Sequence, residues 1–115
     1  MESPAARKSF LFALRIISLY KKLSFEKKEF ILSKQVLRSG TSIGANIAES
    51  EHAQSRADFT SKMSIALKEA DETKYWLQLL QASGYLSAEE AEPVLNDCIE
   101  LIKLLSSIVK SLNSQ

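Results

Sequence analysis

Between residues 56 and 82, Phe59, Met63, Ala66, Ala70, Thr73, Leu77 and Leu80 recur at alternating spacings of four and three. That spacing keeps one side of an α-helix facing a partner along its whole length, and it is the mark of a seam in a helical bundle. The same rhythm returns in Ala91, Leu95, Cys98, Ile102, Leu105, Val109 and Leu112. Two such helices cannot bury their stripes alone, so the rest of the chain has to supply partners. With three Gly and two Pro in 115 residues there is little material for the many turns of a β-protein.

The start and stop signals divide the chain into four segments. Ser3 and Pro4 read as N-cap and first helical position of a helix over about 4–23. In it Phe10, Ala13, Leu14, Ile17 and Tyr20 form one apolar stripe, and Phe12, Ile16, Leu19 and Leu23 form another. After a short connection at 24–26, a second helix is expected over 27–53. A third is expected over 56–82, ended by Gly84, and a fourth over 88–112, opened by the capping box of Ser87 and Glu90. The tail Asn113–Gln115 reads as frayed. Four amphipathic helices with short connections predict an all-α, antiparallel up-down-up-down four-helix bundle in a single domain.

The second helix has an unusual outside. Ser39 to Ala48 carry no charge, and Gln35, Ser39, Ser42, Asn46 and Ser50 form a stripe of short polar residues opposite an apolar face. Gly40 and Gly44 each cost about 1 kcal/mol against Ala in a helix interior, which close approach of another backbone would offset. These features predict a helix squeezed between its own bundle and a neighbouring subunit, with Ser39, Ser42, Asn46 and Ser50 at the interface. On the third helix Ile65, Tyr75, Trp76 and Leu79 make a second apolar cluster in need of a cover, so Ile65, Trp76 and Leu79 join that expected oligomer interface.

Charge is unevenly spread. Residues 1–38 hold nine Lys/Arg against three Asp/Glu, and residues 39–115 hold six against eleven. Either the basic third meets nucleic acid or an acidic partner, or the two parts attract each other when the helices pack. For nucleic acid the candidates are Lys27, Lys34 and Arg38, aligned on the expected second helix, with Arg15 and Lys22. Their contact would be to phosphate, tolerant of sequence and sensitive to salt.

Chemistry is poorly provided for. His52 is the one histidine and Cys98 the one cysteine, the latter on a seam, so neither a triad nor a thiol–imidazole pair is suggested. Glu49 and His52 make a single Glu-x-x-His step where a di-iron bundle needs two. No enzyme activity, metal or cofactor is expected. No apolar run spans a membrane and no signal-peptide pattern opens the chain, so a cytoplasmic home is expected.

The run LRSGTSIGANIAES (Leu37–Ser50), followed by DFTSKMSIALKEADETKYWLQLLQASGYL (Asp58–Leu86), resembles the bacterial four-helix-bundle proteins encoded in intervening sequences of 23S ribosomal RNA genes. Ser42, Asn46, Ile47, Ala48 and Glu49 match that family's SxxxNIAEG segment, and Glu69, Glu72, Gly84 and Tyr85 its later Glu-x-x-Glu and Gly-Tyr turn; Ser50 stands where Gly is common. The resemblance implies a homo-oligomer, a pentamer being favoured, with RNA or DNA binding. A more distant likeness to accessory proteins of diversity-generating retroelements implies a reverse-transcribing or RNA-processing partner. The expected function is a non-enzymatic oligomeric adaptor that binds nucleic acid, with a protein scaffold that binds none as the alternative.

Overall fold

The computed structural model describes residues 3–114. Four helices follow one another: α1 (Pro4–Phe25), α2 (Leu32–Ser50), α3 (Arg56–Ala82) and α4 (Ala88–Asn113). Each packs on its neighbours in the chain and α4 closes on α1, giving a bundle of 45 × 22 × 21 Å. The connections are too short to run back along helices of this length, so successive helices are antiparallel. Among the described residues no helix is long and apolar enough to cross a membrane.

The helix starts follow local chemistry. Ser3 Oγ accepts the Ala6 N–H at 3.0 Å, with Pro4 next to it. Ser55 Oγ accepts the Asp58 N–H at 3.0 Å. Ser87 and Glu90 bond each other's backbone N–H groups reciprocally, at 3.1 and 2.9 Å. At the end of α3, Gly84 takes φ +89° and Leu86 N–H returns to the Leu80 carbonyl at 3.0 Å.

The expected helix over 27–53 differs at both ends. Lys28 adopts φ +56°, which breaks the helical run, and the chain wraps until α2 begins at Leu32. The cap is Glu29: its carboxylate accepts the N–H groups of Ser33 (2.7 Å), Leu32 (3.1 Å) and Ile31 (3.2 Å), while Ser33 Oγ donates to its carbonyl at 2.7 Å. These are donors that a helix start leaves orphaned. At the other end α2 stops at Ser50, and three tighter turn bonds carry the chain through Ala53. In the tail, α4 remains helical through Asn113, and Gln115 lies outside the described residues.

Burial pushes the Glu29 carboxyl upward, but the Ser33, Leu32 and Ile31 N–H groups and the Ser33 hydroxyl outweigh it and hold the group below its ordinary 4.5. A lowered folded-state value contributes stability above the unfolded value that is lost as pH falls through the folded one. Glu29→Gln is therefore expected to cost about 1–2 kcal/mol at pH 7 and to flatten the fall of the thermal midpoint below pH 4.5. A variant as acid-sensitive as the parent would remove Glu29 from this role.

The core is built from Phe12, Ile16 and Leu23 of α1, Val36, Ile43 and Ile47 of α2, and the seams of α3 and α4. On α3 the expected seam is buried from Met63 to Leu80, with Phe59 half-buried at its end. On α4 the inside is Ala91, Val94, Cys98, Leu101 and Leu105, a row rotated slightly from the expected one, so that Leu95 and Ile102 flank it. The two α2 glycines do mark a close approach, but the neighbour is α1 of the same chain. A Cβ at Gly40 would stand 2.8 Å from Ile16 Cγ1, and one at Gly44 3.3 Å from Ser9 Oγ and 3.4 Å from the Ser9 carbonyl oxygen.

Candidate assembly face and basic surface

Ser39 and Ser50 are corrected first, because both are buried inside the protomer. Ser39 Oγ lies 2.9 Å from Thr73 Oγ1 between α2 and α3, and the Thr73 hydroxyl donates to the Glu69 carbonyl at 2.7 Å. Ser50 Oγ donates to the Ile47 carbonyl at 2.6 Å. Ser39 thus serves the contact of α3 with α2 inside one copy, and Ser50 spends its hydroxyl proton on its own helix. Ser42 and Asn46 are half-buried and spend their donors on α2 itself, on the carbonyls of Arg38 (2.6 Å) and Ser42 (2.9 Å). Ile65 is exposed. Leu79 and Trp76 are half-buried, and the Trp76 indole N–H donates to Glu72 at 2.9 Å beside the edge of Tyr75.

The outer apolar surface that stands out is on α1. Of its two stripes, Phe12, Ile16 and Leu23 enter the core, while Phe10 (47% exposed), Leu14 (50%) and Ile17 (37%) face outward; Leu11 (58%) is exposed on the α4 side. Alongside runs a groove of about 410 Å³ whose α2 wall is made of small residues, Thr41, Gly44, Ala45 and Ala48. Bulky side chains and a small-residue groove thus lie side by side on the α1–α2 face. The sequence carried the signal, since α1 is apolar over more than half its circumference, but which stripe turns inward depends on the packing of the other helices.

The basic surface is largely neutralised by α3 and α4. Arg15 meets Asp97 at 2.6 Å. Lys22 and Lys27 share Glu90, at 2.5 and 3.1 Å, and Lys27 Nζ also donates to the Tyr85 carbonyl at 2.5 Å. Arg38 bridges Glu69 at 3.1 Å and Glu72. The Lys22 ammonium, then the Ser87 N–H and Lys27, hold the Glu90 carboxyl down at about 2. Lys27 lies in the connection and not on α2, so Lys27, Lys34 and Arg38 form no helical stripe. Of the five expected nucleic-acid residues only Lys34 lacks a carboxylate partner among the described residues.

Cys98 Sγ is buried and donates toward the Ala70 carbonyl at 3.3 Å, and burial pushes its thiol up to about 12. His52 is exposed just beyond α2, and Glu49 pairs with Lys62 at 3.0 Å. Among the described residues no group of three or more His, Cys, Asp or Glu is placed to hold a metal ion.

A family model described as 23S rRNA-intervening sequence protein matches residues 2–107. The chain belongs to that family. A crystal structure from Bacteroides thetaiotaomicron, of a protein of unknown function from the S23 ribosomal protein family, has 59% sequence identity and a TM-score of 0.90. The match covers 92% of this chain and 98% of that one. Comparison with curated proteins yields no match. Within the 23S rRNA-intervening sequence family, this member's four-helix scaffold accounts for the SxxxNIAEG-like run. Ile47 fills the core, Asn46 bonds the preceding turn of α2, and Glu49 reaches across to α3.

Proposed function

We propose that this chain is a non-enzymatic adaptor that works as a homo-oligomer in the cytoplasm, copies meeting through the outer face of α1. The observation that carries this reading is the exposed row Phe10, Leu14 and Ile17 beside a groove of small residues. A monomeric soluble protein rarely leaves so continuous an apolar patch to water. A closed ring of more than two copies needs two unlike patches on each subunit. The α1 row supplies one, and the outward Ile65 and Tyr75 of α3 supply the other. Five copies is the number the family resemblance favours.

In such a ring, Lys21, Lys28 and Lys34 recur once per subunit and would hold RNA or DNA phosphates together through avidity. A reverse-transcribing or RNA-processing enzyme is the class of protein partner this reading favours. A scaffold without nucleic acid is the second reading, favoured by the carboxylates that occupy Arg15, Lys22, Lys27 and Arg38. Protein purified without nuclease at low salt decides between them. The adaptor reading expects excess absorbance at 260 nm that a salt wash removes, and a clean protein spectrum from the first step favours the scaffold.

A further inference from the structure

At the end of the bundle where α1 passes to α2 and α3 to α4, Phe25 (68% exposed), Phe30 (51%), Ile31 (76%) and Tyr85 (38%) stand out of the surface. The two connections are tied together by Lys27, whose ammonium bonds the Tyr85 carbonyl. Glu29 bonds the N–H groups of Ile31 and of the first two residues of α2, and Phe30 and Ile31 stand exposed beside that cap. Lys22 and Lys27 are occupied by Glu90, while Lys21, Lys28 and Lys34 have no carboxylate partner among the described residues. The exposed groups along the chain run Lys21, Phe25, Glu26, Lys28, Phe30, Ile31, Lys34, so that cations and apolar side chains alternate around a single exposed carboxylate.

We propose that this end of the bundle is a docking surface for single-stranded nucleic acid, with phosphates on Lys21, Lys28 and Lys34 and unpaired bases stacked on Phe25 and Phe30. The proposal rests on the nucleic-acid reading above and names its site and the form of its partner. Aromatic faces beside a cationic track are what sequence-tolerant single-strand binding uses, because every base has a π-face. A duplex keeps its bases stacked on each other and offers these rings nothing. Anionic charge alone would also fit a membrane, but Glu26 and the first-turn Glu89 of α4 are exposed at the same end. A flat anionic surface pressed against the tip meets both carboxylates, whereas a flexible strand along the α1–α2 connection passes Glu26 but leaves Glu89, on the α4 side, away from it.

The test is fluorescence anisotropy of a labelled oligothymidylate and of a duplex of equal length at low salt, with parent protein, Phe25→Ser/Phe30→Ser and Lys28→Glu/Lys34→Glu. Circular dichroism confirms that the variants fold, which their surface positions favour. Parent protein should prefer the single strand. The double Phe variant should lose about tenfold or more on it with duplex binding unchanged, and the Lys variant should lose both. If the Phe variant binds the single strand as the parent does while the Lys variant fails, the stacking site is overturned and the phosphate reading survives. If the parent binds neither oligonucleotide, both fall; capture instead by phosphatidylserine–phosphatidylcholine vesicles, abolished in the Phe variant, would overturn the proposal in favour of a membrane.

Discussion

Leu14→Glu is expected to convert the proposed assembly into lone subunits while leaving the fold of each intact. Leu14 sits in the middle of the α1 outer row and is 50% exposed in a single copy, so a carboxylate there costs an isolated subunit little. In the proposed assembly the same carboxylate would be stripped of water against the apolar side chains of a neighbouring copy. Burying an unpaired charge costs several kcal/mol even after relaxation, and a ring carries the lesion at every interface. Association should weaken by at least about a hundredfold, which corresponds to roughly 2.7 kcal/mol. Ser42→Ala, on a side chain that bonds its own helix, should leave the mass unchanged. A Leu14→Glu protein with the parent's sedimentation would move the interface elsewhere.

The second large effect lies in the core, where α1 crosses α2. Ile16 is fully buried and its Cγ1 and Cγ2 fill the space a side chain at Gly40 would need, at 2.8 and 2.9 Å. Gly40→Ala therefore sets two terms against each other. Helix propensity favours Ala by about 1 kcal/mol, and overpacking a closed contact costs about 1–3 kcal/mol. The clash involves atoms at the branch of a fixed side chain, so the net outcome is a loss. Ile16→Ala alone should cost about 2–5 kcal/mol through the cavity it leaves. Together the two changes should cost clearly less than their sum, since the new methyl group enters the space vacated by Ile16. Urea unfolding of the four proteins at one subunit concentration measures this cycle. Additive losses, or a stabilised Gly40→Ala, would contradict the packing described.

These particulars show which parts of the structure a single sequence exposes. The caps at Ser3 and Ser87 and the stop at Gly84 act over three or four residues, and they are found where the sequence puts them. The α3 seam is equally local, a repeat that needs no knowledge of its partner. The segment 27–31 misleads for a physical reason. It holds neither Gly nor Pro, and Glu29 and Ser33 stand at the spacing of helical neighbours although their bonds cap the helix instead of continuing it. The basic candidates mislead differently. Arg15 and Asp97, or Arg38 and Glu72, are joined across helices, 82 and 34 residues apart in sequence. A count of charges by segment shows that the two parts are complementary but not which cations are consumed. The short polar stripe of α2 divides for the same reason, since Ser39 and Ser50 are claimed by α3 and the core while Ser42 and Asn46 stay at the edge.

Sedimentation velocity of the unmodified protein, followed by dilution, tests the central claim that copies must associate to cover the α1 row. A subunit is 12.8 kDa. The account predicts a stable species at a multiple of that mass, about 64 kDa for five copies, that persists on dilution to submicromolar subunit concentration. A single boundary at 12.8 kDa throughout, with Phe10, Leu14 and Ile17 in water, would contradict it.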